Sequence, residues 1–226
     1  MTGIIDYDAG NVKSVEKALQ YLGEKVVVSR DSQVLLGADR VILPGVGAFG
    51  AAMERLDQYG LIPVIRQITD RGTPFLGICL GLQLLFEESE ESPGVKGLEI
   101  LPGRIVRFPE EQTEPEMRAQ NDPDTFQART APDSGRTLKV PQIGWNDLHF
   151  PRESRLFQGI PEGSYVYFVH SYYLSAANEG DVAATADYGV TFHAAVEHDN
   201  IFACQFHPEK SDRVGLQILR NFISIS

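Results

Sequence analysis

The sequence predicts an α/β fold: a mostly parallel sheet with helices on both faces, extended by an antiparallel or mixed portion in the C-terminal half. Two observations carry the prediction. Through the first ninety residues short apolar runs alternate with segments of helical period, the rhythm of β-α units that lay strands side by side in parallel. Beyond residue 100 strand-like runs follow one another with few helices between them, which suits antiparallel pairing.

The elements follow in order. Gly3-Ile4-Ile5-Asp6 reads as a short strand, and Val12, Val15, Leu19 and Leu22 then form a helical stripe with Asn11 as its cap and Gly23 as its stop. Lys25–Val28 and Arg40–Leu43 are the next strands. A small-residue helix is expected from about Phe49, and Leu61, Val64, Ile65 and Ile68 recur at i, i+3, i+4 and i+7 for another. Pro74–Ile78 is the fourth strand, and Leu80, Leu84 and Leu85 continue at helical spacing. Strands are then expected over Ile105–Phe108, Leu148–Phe150, Tyr165–Val169, Val182–Thr185, Ala194–Glu197 and Phe202–Phe206. A last helix carries Val214, Ile218, Leu219 and Phe222. Residues 109–137 are rich in Pro, Glu, Asp, Gln and Thr and nearly empty of large apolar side chains, so they read as a flexible acidic surface insertion in a single domain spanning 1–226.

Bulk properties exclude several classes. With 20 basic against 31 acidic residues the net charge is −11, which repels phosphate backbones and argues against nucleic acid as a partner. No apolar run approaches the roughly 20 residues of a membrane span, and the N-terminus lacks the pattern of a signal peptide. Two cysteines cannot make a disulfide framework, so a reducing cytoplasm is expected. No spacing of His, Cys and acidic residues suggests a metal site, and no cofactor is called for.

Chemistry concentrates at Gly77-Ile78-Cys79-Leu80-Gly81, where a strand gives way to a helix. A nucleophile on such a turn needs small neighbours. The free N–H groups of the next helix favour a thiolate, and the Leu80 N–H would face an oxyanion formed on an attacked carbonyl. Taken alone, a small buried thiol is as good a reading. His207, in Gln205-Phe206-His207-Pro208-Glu209, supplies the base this cysteine would need. Pro208 biases His207 toward an extended backbone, and in an extended chain His207 and Glu209 share one side, so the carboxylate can orient the imidazole. Cys79, His207 and Glu209 then form a nucleophile–base–orienter set. By itself the His-Pro-Glu stretch would read as a surface turn. His170, which ends another apolar strand, is either a site residue or a hydrogen-bonded strand-end histidine, and Cys204 belongs to the core. Gly45-Val46-Gly47-Ala48-Phe49-Gly50 matches G-x-G-x-x-G, but it follows the third strand. The next strand ends at Cys79, where a ribose-binding acid would be needed. A backbone strip beside the cysteine, offering an N–H to an oxyanion, is the better reading.

GICLGLQ, VHSY and FHPE together resemble the class I glutamine amidotransferases, and PGVGAF (44–49), KVPQIGWN (139–146), FHPEKS (206–211) and IDYDAGN (5–11) narrow the likeness to the glutaminase subunits of imidazole glycerol phosphate synthases in histidine biosynthesis. The resemblance covers the chain apart from 109–137. It implies a three-layer, flavodoxin-like fold and hydrolysis of L-glutamine to glutamate and ammonia through a thioester on Cys79, with His207 as acid and base and Glu209 as its orienter. It further implies an oxyanion hole from Val46, Gly47 and Leu80, and substrate contacts from Gln83, His170, Ser171 and Tyr172. Asn11, Trp145, Tyr167 and Lys210 match positions facing a (β/α)8-barrel cyclase that consumes the ammonia in a heterodimer. That partner would make imidazole glycerol phosphate and aminoimidazole carboxamide ribonucleotide, and it is expected to be a separate chain. Two departures stand out: Gln142-Ile143, where the family often has His-Met before GWN, and the long insertion. An amidotransferase serving another acceptor synthase, and a non-catalytic or nucleotide-binding module on the same fold, are the competing readings.

Overall fold

The computed structural model describes residues 1–109 and 138–225; the expected acidic insertion at 109–137 lies, apart from Pro109, outside the described residues. In chain order the regular elements begin β1 (Thr2–Ile5), α1 (Val12–Tyr21), β2 (Val26–Ser29), α2 (Ser32–Leu36), β3 (Arg40–Gly45), α3 (Phe49–Gln58), α4 (Leu61–Asp70), β4 (Phe75–Cys79) and α5 (Leu80–Gln83). They continue with β5 (Glu88–Ser89), β6 (Gly103–Arg107), β7 (Gln142–Asp147), β8 (Tyr165–His170), β9 (Tyr172–Ala176), β10 (Val182–Asp187), β11 (Thr191–His198), β12 (Ile201–Cys204) and α6 (Asp212–Ser224).

The main sheet runs β2-β1-β3-β4-β12-β11-β9-β6-β5, with β10 paired to β11. Strands β2, β1, β3, β4 and β12 are parallel; β11 pairs antiparallel with β12, β10 and β9, and β9 with β6. The central parallel strands are largely apolar because both faces are covered, while the edge strand β2 is half-buried. Alternation sends Ile4, Ile42 and Leu76 into a core shared with α1 and α6, and their neighbours Ile5, Leu43 and Phe75 into one shared with α3 and α4. The result is three layers, as expected. No helix among the described residues is long and apolar enough to cross a membrane.

Four local expectations need correction. The helix after Cys79 is a single turn. Loop residues 97–101 lie across its end, where Leu98, Ile100 and Leu101 donate their backbone N–H groups to the carbonyls of Leu84 and Leu85, so those carbonyls take partners from outside the helix. The strand expected at Leu148–Phe150 is only an isolated bridge between His149 and Thr185, and the strand proper is β7, paired antiparallel with β8 as a two-stranded ribbon. Pro208–Lys210 form a 3-10 turn rather than extended chain, although His207 itself is extended. Asn11 holds the cap position of α1 with φ 75°, but its side chain makes no capping bond. Strand β9 and helix α2 were not foreseen, although Asp31 gives α2 an N-cap by accepting from the N–H groups of Gln33 and Val34.

Candidate active site

The candidate residues gather at the C-terminal edge of the parallel strands, where open α/β sheets place their ligands. Cys79 ends β4, and the neighbouring strand β12 leads into Gln205-Phe206-His207. Cys79 has φ 56° and ψ −108°, a backbone strain costing about 1–3 kcal/mol, held in place by glycines. A Cβ on Gly77 would lie 2.7 Å from the Gly81 carbonyl oxygen, and one on Gly81 would lie 1.8 Å from that of Leu43. Small neighbours are therefore a packing necessity on both sides of the thiol.

His207 is fully buried and tied to β8 by its backbone: its N–H donates to Tyr167 O at 2.9 Å, and Ser211 Oγ, which accepts from Tyr167 N–H, donates to His207 O at 2.7 Å. Gly215 of α6 lets that helix close on the turn, since a Cβ there would meet Pro208 O at 1.9 Å. Across the 3-10 turn His207 Nδ1 meets Glu209 Oε1 at 2.8 Å, both side chains being shielded from solvent. Asn11 Nδ2 donates to the same Glu209 oxygen and lies 3.3 Å from His207 Nδ1. The other ring nitrogen, Nε2, is buried with no nitrogen or oxygen partner among the described residues, which leaves it to the Cys79 thiol. Burial disfavours the imidazolium, but hydrogen bonds and charge from Cys79 and then Glu209 overcome it and raise the His207 pKa from 6.5 to about 9. The stability gained from that proton is complete below about pH 6.5 and is lost as the pH rises through about 9.

A cavity of about 300 Å³ opens beside the thiol. It is lined by Val46, Gly47, Leu80, Gln83, His170, Ser171 and Tyr172, which the sequence singled out, and by Glu91, Pro141 and Val169, which it did not. A larger cavity of about 710 Å³ lies apart, between Phe150 and Glu197, and its lining holds no cysteine or histidine. In the site cavity Gly47 has φ 110°, a conformation suited to glycine. Beyond it Phe49 N–H donates to Glu91 Oε2 at 2.7 Å and Gly50 N–H to Ser92 Oγ at 3.0 Å, so the start of α3 is capped from a distant loop.

His170 serves both expectations: it lines the cavity, and its ring is held at Nδ1 by Tyr172 O and at Nε2 by the Gln142 amide, each at 2.9 Å. Burial, opposed by the Tyr172 bond, lowers its pKa to about 4, so the ring is neutral near pH 7. At Nε2 the partner atom is Gln142 Oε1, 2.9 Å away. Gln142 is thus turned inward while its neighbour Ile143 is 63% exposed.

The expected partner-facing residues divide. Trp145 is 53% exposed and packs edge-on to Tyr167, its partner across the β7–β8 ribbon. Lys210 is exposed at the end of the 3-10 turn that carries Glu209, whereas Asn11 is committed to Glu209. Tyr165, 57% exposed, extends the apolar face of the ribbon.

Sequence reasoning missed Gln205, fully buried, whose Nε2 lies 3.7 Å from Cys79 Sγ and whose Oε1 accepts from Gln83 Nε2 at 3.1 Å. Its place two residues before His207 was the available signal, since alternate residues of a strand share a face. Cys204 is fully buried, as expected of core. Among the described residues no cluster of three or more His, Cys, Asp or Glu could hold a metal ion.

Comparison with known proteins gives concordant findings. The model of the family "Glutamine amidotransferase class-I" matches residues 3–225. The chain is 48% identical over 222 residues to the imidazole glycerol phosphate synthase subunit HisH of Syntrophotalea carbinolica, covering 98% of each chain. It is 46% identical to the HisH of Methanothermobacter thermautotrophicus, covering 100% of this chain and 98% of that one. Among solved structures, a glutamine amidotransferase superposes with a TM-score of 0.68 at 20% identity, covering 99% of this chain and 97% of its own. PurLQS from Thermotoga maritima superposes with a TM-score of 0.67 at 16% identity, covering 99% and 97%. At such identities the structural likeness speaks for the fold alone.

Proposed function

Because the chain belongs to the class-I glutamine amidotransferase family, we propose that it is the glutaminase subunit of an imidazole glycerol phosphate synthase, acting in histidine biosynthesis as one amidotransferase domain across residues 1–226. The observation that carries the chemistry is His207, buried between the Glu209 carboxylate and the thiol of Cys79, which lines a cavity at the small end of the ligand-pocket range.

Cys79 Sγ attacks the side-chain amide carbon of glutamine, and the carbonyl oxygen takes the electron pair. Backbone N–H groups of Leu80 and of the Val46–Gly47 strip face that oxyanion. His207, protonated at neutral pH by virtue of its raised pKa, gives its proton to the departing nitrogen, so ammonia leaves and a thioester remains. His207 then takes a proton from water, whose oxygen attacks the thioester; collapse expels the Cys79 sulfur and releases glutamate. Glu209 keeps the imidazole oriented throughout, with Asn11 bonded to Glu209 from behind. Gln83, His170, Ser171 and Tyr172 position the substrate, and the Glu91 carboxylate in the cavity wall suits its α-ammonium group.

Ammonia passes to a (β/α)8-barrel cyclase subunit that forms imidazole glycerol phosphate and aminoimidazole carboxamide ribonucleotide. The exposed side chains of Ile143, Trp145 and Tyr165 on the β7–β8 ribbon, with Tyr167, Lys210 and the rim at Asn11, suit the docking of that partner in a heterodimer. Both cysteines are free, which fits a cytoplasmic setting.

Two experiments test this reading. Glutamate release by the lone chain is expected to be slow and to rise at least about tenfold with the cyclase and its nucleotide ligand, within the usual range of coupling between sites. Fast turnover by the chain alone, or no response to the cyclase, would point to a different acceptor synthase. The pH profile of kcat/KM is expected to fall on its alkaline side near pH 9 as His207 loses its proton. Glu209→Gln removes a carboxylate that raises this pKa and is expected to move the limb to lower pH; an unmoved limb would detach Glu209 from His207.

A further inference from the structure

Tyr7 follows β1 and is 1% exposed, yet its hydroxyl has no hydrogen-bond partner among the described residues. A buried hydroxyl left unpaired is destabilising, and one beside a reaction centre needs a reason. The hydroxyl lies against Gly45, where a Cβ would come within 2.3 Å of it, and that same Cβ would stand 3.0 Å from Leu80 Cβ and 3.4 Å from the Gly81 nitrogen. Gly45 pairs with Cys79 in the sheet and opens the Val46–Gly47 strip. Tyr7 therefore sits beneath the backbone that the glutaminase reading assigns to the oxyanion.

The C=O and N–H of a trans peptide point in opposite directions. A donor beneath the Gly45–Val46 peptide thus favours the orientation in which the Gly45 carbonyl points down to the hydroxyl and the Val46 N–H points up into the cavity. We propose that Tyr7 is a positioning residue for this reaction, its hydroxyl reserved for the Gly45 carbonyl in the state that presents the Val46 N–H to the oxyanion. Burial, and after it the negative charge of Cys79, raise the Tyr7 pKa well above its ordinary value, so the hydroxyl keeps the proton it needs to donate. The inference rests on the glutaminase reading and adds to it a residue that touches neither substrate nor thiol.

The test is Tyr7→Phe in the full chain, assayed with the cyclase subunit and its nucleotide ligand. The expected result is a fall in kcat for glutamine of about tenfold or more, below the loss from deleting an oxyanion donor outright, with KM unchanged. Alkylation of Cys79 by iodoacetamide forms no oxyanion, so its rate and pH profile are expected to match the wild type. The melting temperature is expected not to fall, because no existing hydrogen bond is lost. Wild-type kcat in the variant overturns the proposal. So does a matching loss of alkylation, which would place the hydroxyl at the thiolate, and so does a lowered melting temperature, which would mean that it is already bonded. Absence of glutamate release from the unsubstituted chain would overturn the glutaminase reading and this proposal with it, and is told apart because no substitution is involved.

Discussion

Cys79→Ala is expected to abolish glutamate release, by at least about 10⁴-fold, while leaving the fold and cyclase docking intact. Removing the nucleophile from a unit that acts together costs nearly all of its rate, since the oxyanion hole and substrate binding alone supply only a small remainder. The fold should tolerate the change because alanine keeps the Cβ and the backbone geometry that Gly77 and Gly81 frame, and the side chain lost is one small sulfur. The check has three parts: glutamate assayed with the cyclase present, labelling by a glutamine-like diazo-ketone, and thermal melting. Lost release and lost labelling at an unchanged melting temperature are expected. Residual turnover near the wild-type rate would return Cys79 to the core and require a different nucleophile for the glutaminase reaction.

Gly81→Ala is expected to be the most destabilising single methyl group that can be added near the site. Its Cβ would lie 1.8 Å from the Leu43 carbonyl oxygen and 2.9 Å from the carbonyl carbon, and both belong to the backbone of β3, a strand paired on each side. Neither can move without disturbing the sheet, so the cost is placed at about 3 kcal/mol or more, at or beyond the upper end of overpacking penalties. Gly94→Ala makes the comparison: nothing lies within 4 Å of its Cβ, and only its φ of 85° opposes a side chain, worth about 1–2 kcal/mol. Urea unfolding of the two variants reads the difference. Equal destabilisation would show that the single turn after Cys79 can lift off β3, and would remove the steric account of the second glycine.

Much of this was legible in the sequence because it depends on neighbours along the chain. The apolar alternation that splits Ile4 from Ile5 and Leu76 from Phe75 across two cores is a period-two property. The pairing of His207 with Glu209 needs only two residues of separation, although a 3-10 turn achieves it and not the extended chain that the sequence suggests. The glycine–cysteine–glycine turn shows itself in the same local way, since the crowding it relieves follows from putting a nucleophile on a strand-to-turn corner.

Tertiary structure alone decided the rest. Asn11 reads locally as a helix cap, yet it spends its amide on Glu209, 198 residues away. The helical period of Leu80, Leu84 and Leu85 yields a single turn, because N–H groups from residues 98–101 take the Leu84 and Leu85 carbonyls. Gln205, Glu91 and Tyr7 enter the site from a strand end, a loop and the chain's first turn, with no shared spacing to announce them. Sequence by itself determined the layered α/β fold and singled out Cys79, His207 and Glu209 as candidate nucleophile, base and orienter, because hydrophobic period and short-range sterics are written residue by residue. Which polar groups surround them, and which hydroxyl is left waiting, depended on how distant strands aligned, a matter of long-range packing that no local pattern encodes.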